Sequence, residues 1–139
     1  MKKTIYITTF IGLVTVALTL CSCNQQAEPE YAGAMAENML QALNTDNYTL
    51  YSERFDDAMK KAIPEPVFKQ TNTLIRSKIG NYVSRKYTTT QKEGQYISVY
   101  YKAKFSAEPG DVTVKVVFQQ VAGKTYVAGF WMNSPKLSK

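Results

Sequence analysis

The chain has 139 residues, with 17 lysines and arginines against 11 acidic residues, and its formal net charge is +6. It contains no histidine, which excludes the commonest general base near neutral pH, the commonest metal ligand and every nucleophile activated by a histidine. Its basic residues form no run longer than two, so the composition argues against nucleic acid as a partner.

The N-terminal segment has the pattern of an export signal. Lys2 and Lys3 precede a stretch from Thr4 to Leu20 that carries no charge and is mostly apolar. The run Leu20-Cys21-Ser22-Cys23 then resembles the bacterial lipobox, in which a leucine and two small residues precede the cysteine that receives a lipid. We expect residues 1–22 to be a lipoprotein signal peptide and Cys23 to be lipidated. An ordinary secretory signal or a short membrane anchor is the alternative.

Lipidation at Cys23 predicts where the protein works. Residues 23–29 become a short lipidated tether, and the acylated cysteine makes the membrane a partner of the chain. We therefore expect the bacterial cell envelope, either the periplasmic face of the outer membrane or the outer face of the cytoplasmic membrane. The remaining domain has no free cysteine, so neither a disulfide nor thiol chemistry is expected in it.

Three helices are predicted first. Apolar residues recur at three- and four-residue steps from Ala32 to Leu43, after Pro29 in the first turn. A second helix, capped by Asp46, carries a stripe from Tyr48 to Ala62 and ends before Pro64. A third begins around Pro66, ends at Gly80 and is expected to bury Val67, Phe68, Thr71, Leu74, Ile75 and Ile79.

Beyond Gly80 the apolar period changes from helical to two. Strands are predicted over residues 82–91, 95–105, 112–119 and 126–132, with residues 107–111 as a longer connection and residues 134–139 as a frayed polar tail. Helices followed by a meander indicate an α+β fold over residues 30–133, with three N-terminal helices packed on a curved four-stranded antiparallel sheet. Such a cone has an open mouth through which a ligand could enter.

The order of elements, with Phe55 and Met59 on a helix, Gly80 at a helix end and the closing Gly123-Lys124 and Ala128-Gly129-Phe130, resembles a known family. It is similar to a bacterial lipoprotein domain of unknown function in the nuclear-transport-factor-two-like superfamily. The resemblance implies a cystatin- or nuclear-transport-factor-two-like cone. Isomerases and dehydratases of that superfamily use histidine and aspartate, and since this chain has no histidine, the resemblance transfers no catalytic residue.

No motif predicts a cofactor, a metal or a catalytic residue. The chain has neither a glycine-rich phosphate loop nor carboxylates at metal-ligand spacing. Glu53, Asp56 and Asp57 share a helical face, but lysines follow at the same spacing, and we interpret the cluster as a solvated helix surface in preference to a cation or acid/base site.

Tyrosine is unusually abundant, with ten in the chain. On the second strand, Tyr96, Tyr100, Lys102 and Lys104 share the face opposite the apolar one. Cross-strand packing is the simplest explanation, and a basic aromatic patch for an anionic or glycan partner is the other. We expect Trp131 to share a face with Val127 and to be covered by the chain's own N-terminal helix or tether, with a ligand or partner as the alternative cover.

Two functional hypotheses follow. The preferred one is a non-catalytic module that binds a small ligand or an envelope protein, with a homodimer through the sheet face as one form of partner. The alternative is a small enzyme, either an isomerase, a dehydratase or a hydrolase accessory, that uses tyrosine, aspartate or lysine in the cone. A polar pocket holding a carboxylate of raised pKa favours the enzyme, whereas an apolar cavity beside an exposed aromatic sheet favours the binding module.

Overall fold

A computed structural model describes residues 26–139. The predicted signal peptide, the lipobox and the lipidation site at Cys23 lie outside the described residues. None of the helices within residues 26–139 is long and apolar enough to cross a bilayer.

The described chain is helical first and then forms one antiparallel sheet, which confirms the α+β class and the four-stranded meander. The helices are α1 (Glu30–Thr45), α2 (Tyr48–Ser52), α3 (Asp57–Ala62) and α4 (Glu65–Ile79). The strands are β1 (Tyr82–Glu93), β2 (Tyr96–Phe105), β3 (Glu108–Val121) and β4 (Lys124–Asn133), in the order β1-β2-β3-β4.

The predicted second helix is wrong, because it divides into α2 and α3. Asp46 does not cap it: Asp46 takes the left-handed conformation (φ 52°) that ends α1. Asn47 caps α2 instead, and its side chain accepts a hydrogen bond from the Leu50 N–H. Asp56 caps α3 by accepting one from the Met59 N–H at 2.7 Å.

An extended bridge joins α2 to α3 and explains the break. Phe55 pairs in parallel with Val127 of β4, whose N–H donates to the Arg54 carbonyl and whose carbonyl accepts from the Asp56 N–H at 3.0 Å. The bridge covers part of the otherwise unpaired edge of β4, and the Phe55 ring is buried in the core. A tertiary contact of this kind overrides the helical periodicity of the segment.

β3 begins at Glu108 rather than at residue 112, and the C-terminal tail packs rather than frays. Glu108 is buried and pairs with Phe105 of β2, while its carboxylate accepts a hydrogen bond from the Lys136 N–H at 3.2 Å. Ser134 is buried and Leu137 packs against the core. The tail therefore covers the early part of β3, at the end of the sheet where β4 stops opposite Thr113.

The core lies between α1 and the inner face of the sheet. β2 and β3 contribute its centre, and the fully buried residues there are Val99, Tyr101, Ala103, Val112, Val114, Val116 and Phe118. α1 covers them with Ala32, Ala36 and Leu40. α4 buries a narrower face than predicted, because Phe68, Asn72 and Ile79 are buried whereas Val67 and Leu74 are exposed.

An arginine also lies on the inner face. Arg85 of β1 has a side chain that is only 16% exposed. Its Nε lies 3.0 Å from Glu37 Oε2, and its Nη1 lies 3.2 Å from Glu28 Oε1. Its guanidinium lies 4.6 Å from the centroid of the Tyr101 ring. Two register irregularities in β1, between Tyr82 and Ser84 and between Tyr87 and Thr89, place Arg85 on this face.

Gly33 of α1 lets the arginine approach the helix. Arg85 Nη2 donates to the Gly33 carbonyl at 2.7 Å. A Cβ at Gly33 would lie 2.9 Å from Glu28 Oε1 and 3.2 Å from Arg85 Nη2. Glycine weakens a helix interior by roughly 0.5 to 1 kcal/mol relative to alanine, so its presence here is explained by this close approach.

The last residues of the predicted tether are docked rather than free. The Tyr87 hydroxyl donates to the Gln26 carbonyl. The Tyr101 hydroxyl donates to Glu28 Oε1 at 2.8 Å, beside the Arg85 ion pair. The folded part of the chain thus begins at least four residues before α1, because the inner face of β1 and β2 presents hydrogen-bond donors to this segment.

Candidate functional site

A cavity of about 320 Å³ lies between α4 and β4. Its wall is mainly aliphatic and aromatic, and the lining residues are Leu43, Tyr51, Ile63, Val67, Phe68, Thr71, Asn72, Leu74, Ile75, Phe130, Trp131, Met132 and Leu137. Three of them, Val67, Leu74 and Trp131, are exposed large apolar side chains, so the mouth of the cavity is apolar as well. The volume is within the range of small-molecule sites.

The cavity wall carries no carboxylate, lysine or arginine among the described residues. Tyr51 is its ionisable member, and burial raises the pKa of the Tyr51 hydroxyl well above its ordinary value of 10.0. Tyr51 therefore stays protonated at physiological pH. A wall of this kind can bind an apolar molecule, but it supplies no proton acceptor for general base catalysis.

Asn72, a residue of the cavity wall, has one buried polar atom that is not satisfied. The side chain is only 1% exposed, and its Nδ2 donates to the Leu43 carbonyl at 2.9 Å and to Asp46 Oδ1 at 2.8 Å. Both neighbours are acceptors, which fixes the orientation of the amide. Asn72 Oδ1 is then a buried acceptor without a partner in the described structure. Leaving such an atom unpaired costs roughly 1 to 3 kcal/mol.

The predicted patch residues all lie on the outer face of the sheet. Tyr96, Tyr100, Lys102 and Lys104 alternate with buried residues along β2, and Trp131 lies on the same face of β4. Lys102 and Lys104 are not free cations, since their Nζ atoms lie 3.8 and 2.7 Å from the Asp111 carboxylate. The patch is therefore more aromatic and less basic than the sequence alone indicates.

Lys115 of β3, which the sequence analysis did not single out, joins this surface. It pairs with Tyr100 on one side and with Trp131 on the other. Its Nζ lies 5.6 Å from the Tyr100 ring centroid and 5.4 Å from that of Trp131. The alternation of β3 already places Lys115 outward, but only the register across the three strands aligns it between the two rings.

The expected position of Trp131 is wrong in two respects. Val117 pairs with Gly129, whereas Phe118 pairs with Val127, so one extra residue of β4 stands at Ala128. This irregularity sends Val127 to the core and Trp131 to the outer face. Trp131 is 56% exposed, and its ring lies over Gly129, where a Cβ would come within 2.3 Å of it. Neither α1 nor residues 26–29 cover it.

The acidic cluster does not form a shared site. Asp56 caps α3, and Glu53 lies 3.9 Å from the neighbouring Arg54 in an exposed pair. No group of three or more potential metal-ligating side chains occurs within residues 26–139.

The carboxylates with perturbed pKa values are shifted downward in the described part of the chain. Burial raises the pKa of Glu37, but hydrogen bonds from Gln41, Tyr82 and Arg85 together leave it below 4.5. A hydrogen bond from Ser134 lowers the pKa of Glu108, and one from Lys104 lowers that of Asp111. All three remain ionised at neutral pH and are unsuited to act as general acids.

Comparison with known proteins places the chain by sequence and by fold. A family model described as a protein of unknown function (DUF3887) matches residues 36–130. The chain is similar to the solution structure of RPA3114, a SEC-C motif containing protein from Rhodopseudomonas palustris, with 12% identity and a TM-score of 0.53 over 73% of this chain and 77% of that one. At this identity the likeness concerns the fold alone.

A second similar structure is an NTF2-like protein of unknown function from Cytophaga hutchinsonii. It is 12% identical, with a TM-score of 0.39 over 76% of this chain and 92% of that one. No curated protein matches the chain.

The exposure of Trp131 predicts the effect of its removal. Trp131→Ala should lower the free energy of unfolding by about 1 kcal/mol, because it removes a half-exposed ring and an exposed cation–π contact. Phe118→Ala, which removes a fully buried ring, should cost roughly 3 to 5 kcal/mol. Urea unfolding followed by circular dichroism measures both. A loss for Trp131→Ala as large as that for Phe118→Ala would contradict the position of the ring.

Proposed function

We propose, from the premise that the chain belongs to the DUF3887 family of proteins of unknown function, that it is a lipid-anchored, non-catalytic binding protein of the bacterial cell envelope. The observation that carries the binding role is the apolar cavity between α4 and β4, with its single unpaired acceptor at Asn72. The ligand is a small, mostly apolar molecule that carries one hydrogen-bond donor.

The anchor is proposed from the sequence. Lys2 and Lys3, the uncharged apolar stretch and the lipobox-like Leu20-Cys21-Ser22-Cys23 support cleavage before Cys23 and its acylation. Each buried methylene of an acyl chain contributes about 0.8 kcal/mol to membrane binding, so two or three chains hold a protein on the membrane stably. The protein then works in one envelope compartment, on the periplasmic side of the outer membrane or outside the cytoplasmic membrane.

The chemistry of the cavity supports a binding role over the enzyme alternative. An isomerase or dehydratase needs a group that takes a proton from its substrate at neutral pH. The cavity wall offers only the hydroxyl of Tyr51, whose pKa burial raises further from neutrality. The perturbed carboxylates lie elsewhere, and their pKa values are lowered rather than raised.

The finer fold assignment is part of the proposal. In a nuclear-transport-factor-two-like cone, a ligand enters between the helices and the inner face of the sheet. The cavity between α4 and β4 supports this assignment, since Phe68 of α4 and Phe130 and Met132 of β4 line it. We assign the domain to that superfamily on this arrangement and on the order of its elements.

A second binding surface is favoured by the outer sheet face. Lys115 lies between the rings of Tyr100 and Trp131, and Tyr96 is exposed on the same face. Exposed aromatic rings around a cation suit an envelope protein, a glycan or a second copy of the chain. The cavity remains the primary candidate, because Trp131 lines it as well and its wall includes Asn72, whose Oδ1 is unpaired.

Substitution of the two cysteines tests the anchor. Cys23→Ser should abolish incorporation of radiolabelled palmitate and release or misprocess the protein, because it removes the acylated thiol. Cys21→Ser is the matched control and should leave incorporation unchanged, since serine is also small. Labelling of Cys23→Ser as strong as that of the parent would contradict the proposed lipidation of Cys23.

A pair of probes tests the cavity. Decanol can donate a hydrogen bond to Asn72 Oδ1, whereas its methyl ether cannot, so decanol should bind roughly five- to tenfold more tightly. The emission of Trp131, the sole tryptophan, reports binding because Trp131 lines the cavity. Ile75→Phe narrows the cavity and should weaken both probes, whereas Val83→Phe, outside it, should not. Equal affinity for alcohol and ether would exclude the role of Asn72, and equal effects of the two substitutions would place the probes elsewhere.

A further inference from the structure

Residues 26–29, which we call the docked segment, approach one end of the sheet. In an antiparallel meander, the β1–β2 turn and the β3–β4 turn lie at the same end, which we call the hairpin end. The contacts of the segment with β1 run toward it. Asn44, at the far end of α1, bonds to Tyr82 at the start of β1, and Gln26 bonds to Tyr87. The chain thus enters the domain from the hairpin end.

The covalent chain limits how far Cys23 can lie from this end. The Tyr87 hydroxyl, which donates to the Gln26 carbonyl, also lies 3.0 Å from the hydroxyl of Thr90, three residues before β1 ends. Cys23 precedes Gln26 by three residues. Since a chain spans at most about 3.5 Å per residue, the Cα of Cys23 lies within roughly 10 Å of that of Gln26.

We infer that the hairpin end is the membrane-facing surface of the domain and that the docked segment sets this orientation. The inference rests on the proposed lipidation of Cys23. A free tether of seven residues would let the domain tumble above the bilayer, but docking of Gln26 and Glu28 leaves only two residues between the anchor and the folded chain. The occupant of this surface is therefore the lipid headgroup layer.

The side chains at the hairpin end suit close approach to a bilayer without selecting its charge. Val121 is 50% exposed beside the β3–β4 turn, and both turns are closed by a glycine at positive φ, Gly94 and Gly123. Lys92 and Lys124 are exposed there, but so is Glu93, and Asp57 lies in the same surface depression as Val121. Since these charges balance, the short docked tether rather than anionic lipid determines the orientation.

This orientation places the cavity away from the bilayer. Asn72 in its wall bonds to the Leu43 carbonyl and to Asp46 at the C-terminal end of α1, which is remote from the hairpin end. Phe130 and Met132 line it from the second half of β4, and Leu137 of the tail completes it. Ligand then enters from the aqueous side of the envelope rather than from the membrane.

Two exposed valines offer a matched test. Val121 lies at the hairpin end and is 50% exposed; Val83 is 62% exposed and lies at the opposite end of β1, whose 12 residues span roughly 40 Å. Val121→Cys and Val83→Cys are each expressed as the full chain, so that processing removes Cys21 and acylation caps Cys23. The single free thiol is labelled with a nitrobenzoxadiazole dye, and the protein is reconstituted in vesicles of phosphatidylethanolamine with headgroup nitroxide lipid.

The probe at residue 121 should be quenched several-fold more strongly than the probe at residue 83, and added phosphatidylglycerol should leave this ratio unchanged. The double variant Glu28→Gln, Tyr87→Phe, which undocks the segment, should bring the two values together. The mass of the N-terminal peptide reports lipidation separately. A lipidated protein with equal quenching at both positions overturns the inference and leaves the proposed function intact, whereas an unmodified Cys23 overturns both.

Discussion

The structure depends on one partly buried arginine, Arg85. Arg85 lies on the inner face of β1, where an unpaired charge would cost several kcal/mol, and it is tolerated because Glu28 and Glu37 neutralise it and Tyr101 stacks against it. The pairing draws together residues as far apart as 57 positions in the chain. It also explains the glycine at position 33 and the docking of the segment before α1.

The domain has a polar contact region around Arg85 and an apolar cavity between α4 and β4. Around Arg85, hydrogen bonds and ion pairs hold Glu28 and α1 to β1 and β2. Near β4, at the opposite edge of the sheet from β1, α4 packs through Phe68 and Ile79 and leaves an apolar cavity against β4. The polar cluster therefore stabilises the contact between α1 and β1, whereas the cavity is the proposed ligand site. The proposed binding role rests on the apolar wall of this cavity.

The sequence predicted the class of fold and the four strands, because regular alternation in β2 and β3 and helical spacing in α1 each report a face directly. It also predicted that Tyr96 and Tyr100 share the face of β2 opposite its apolar one. What it could not supply are the irregularities. The register shifts in β1 and at Ala128 of β4 change which face of the sheet a residue occupies. Because of them, Arg85 lies on the inner face and Trp131 on the outer face.

Other differences come from contacts between distant parts of the chain. The Phe55–Val127 bridge interrupts a segment whose local spacing is helical, and Asn72 is buried because it bonds to the end of α1. The helical propensity of a segment does not indicate contacts of this kind with distant residues. The docking of Gln26 and Glu28 was likewise absent from the sequence analysis, because a polar segment without periodicity is typical of a tether until the tyrosines that bind it are located.

The unfolding free energy of Arg85→Met as a function of pH tests the central role of the cluster most directly. At pH 7 the variant should be less stable than the parent by roughly 2 to 3 kcal/mol, which is below the roughly 3 to 5 kcal/mol for a fully buried pair because both glutamates are partly exposed. Glu37 has its pKa lowered by the folded state, so its contribution is present at higher pH and is lost as pH falls below 4.5. The difference between variant and parent should therefore shrink on acidification. Arg54→Met removes an exposed arginine and should cost less than about 0.5 kcal/mol at every pH; an Arg85→Met loss no larger than that, or one that does not change with pH, would contradict the account.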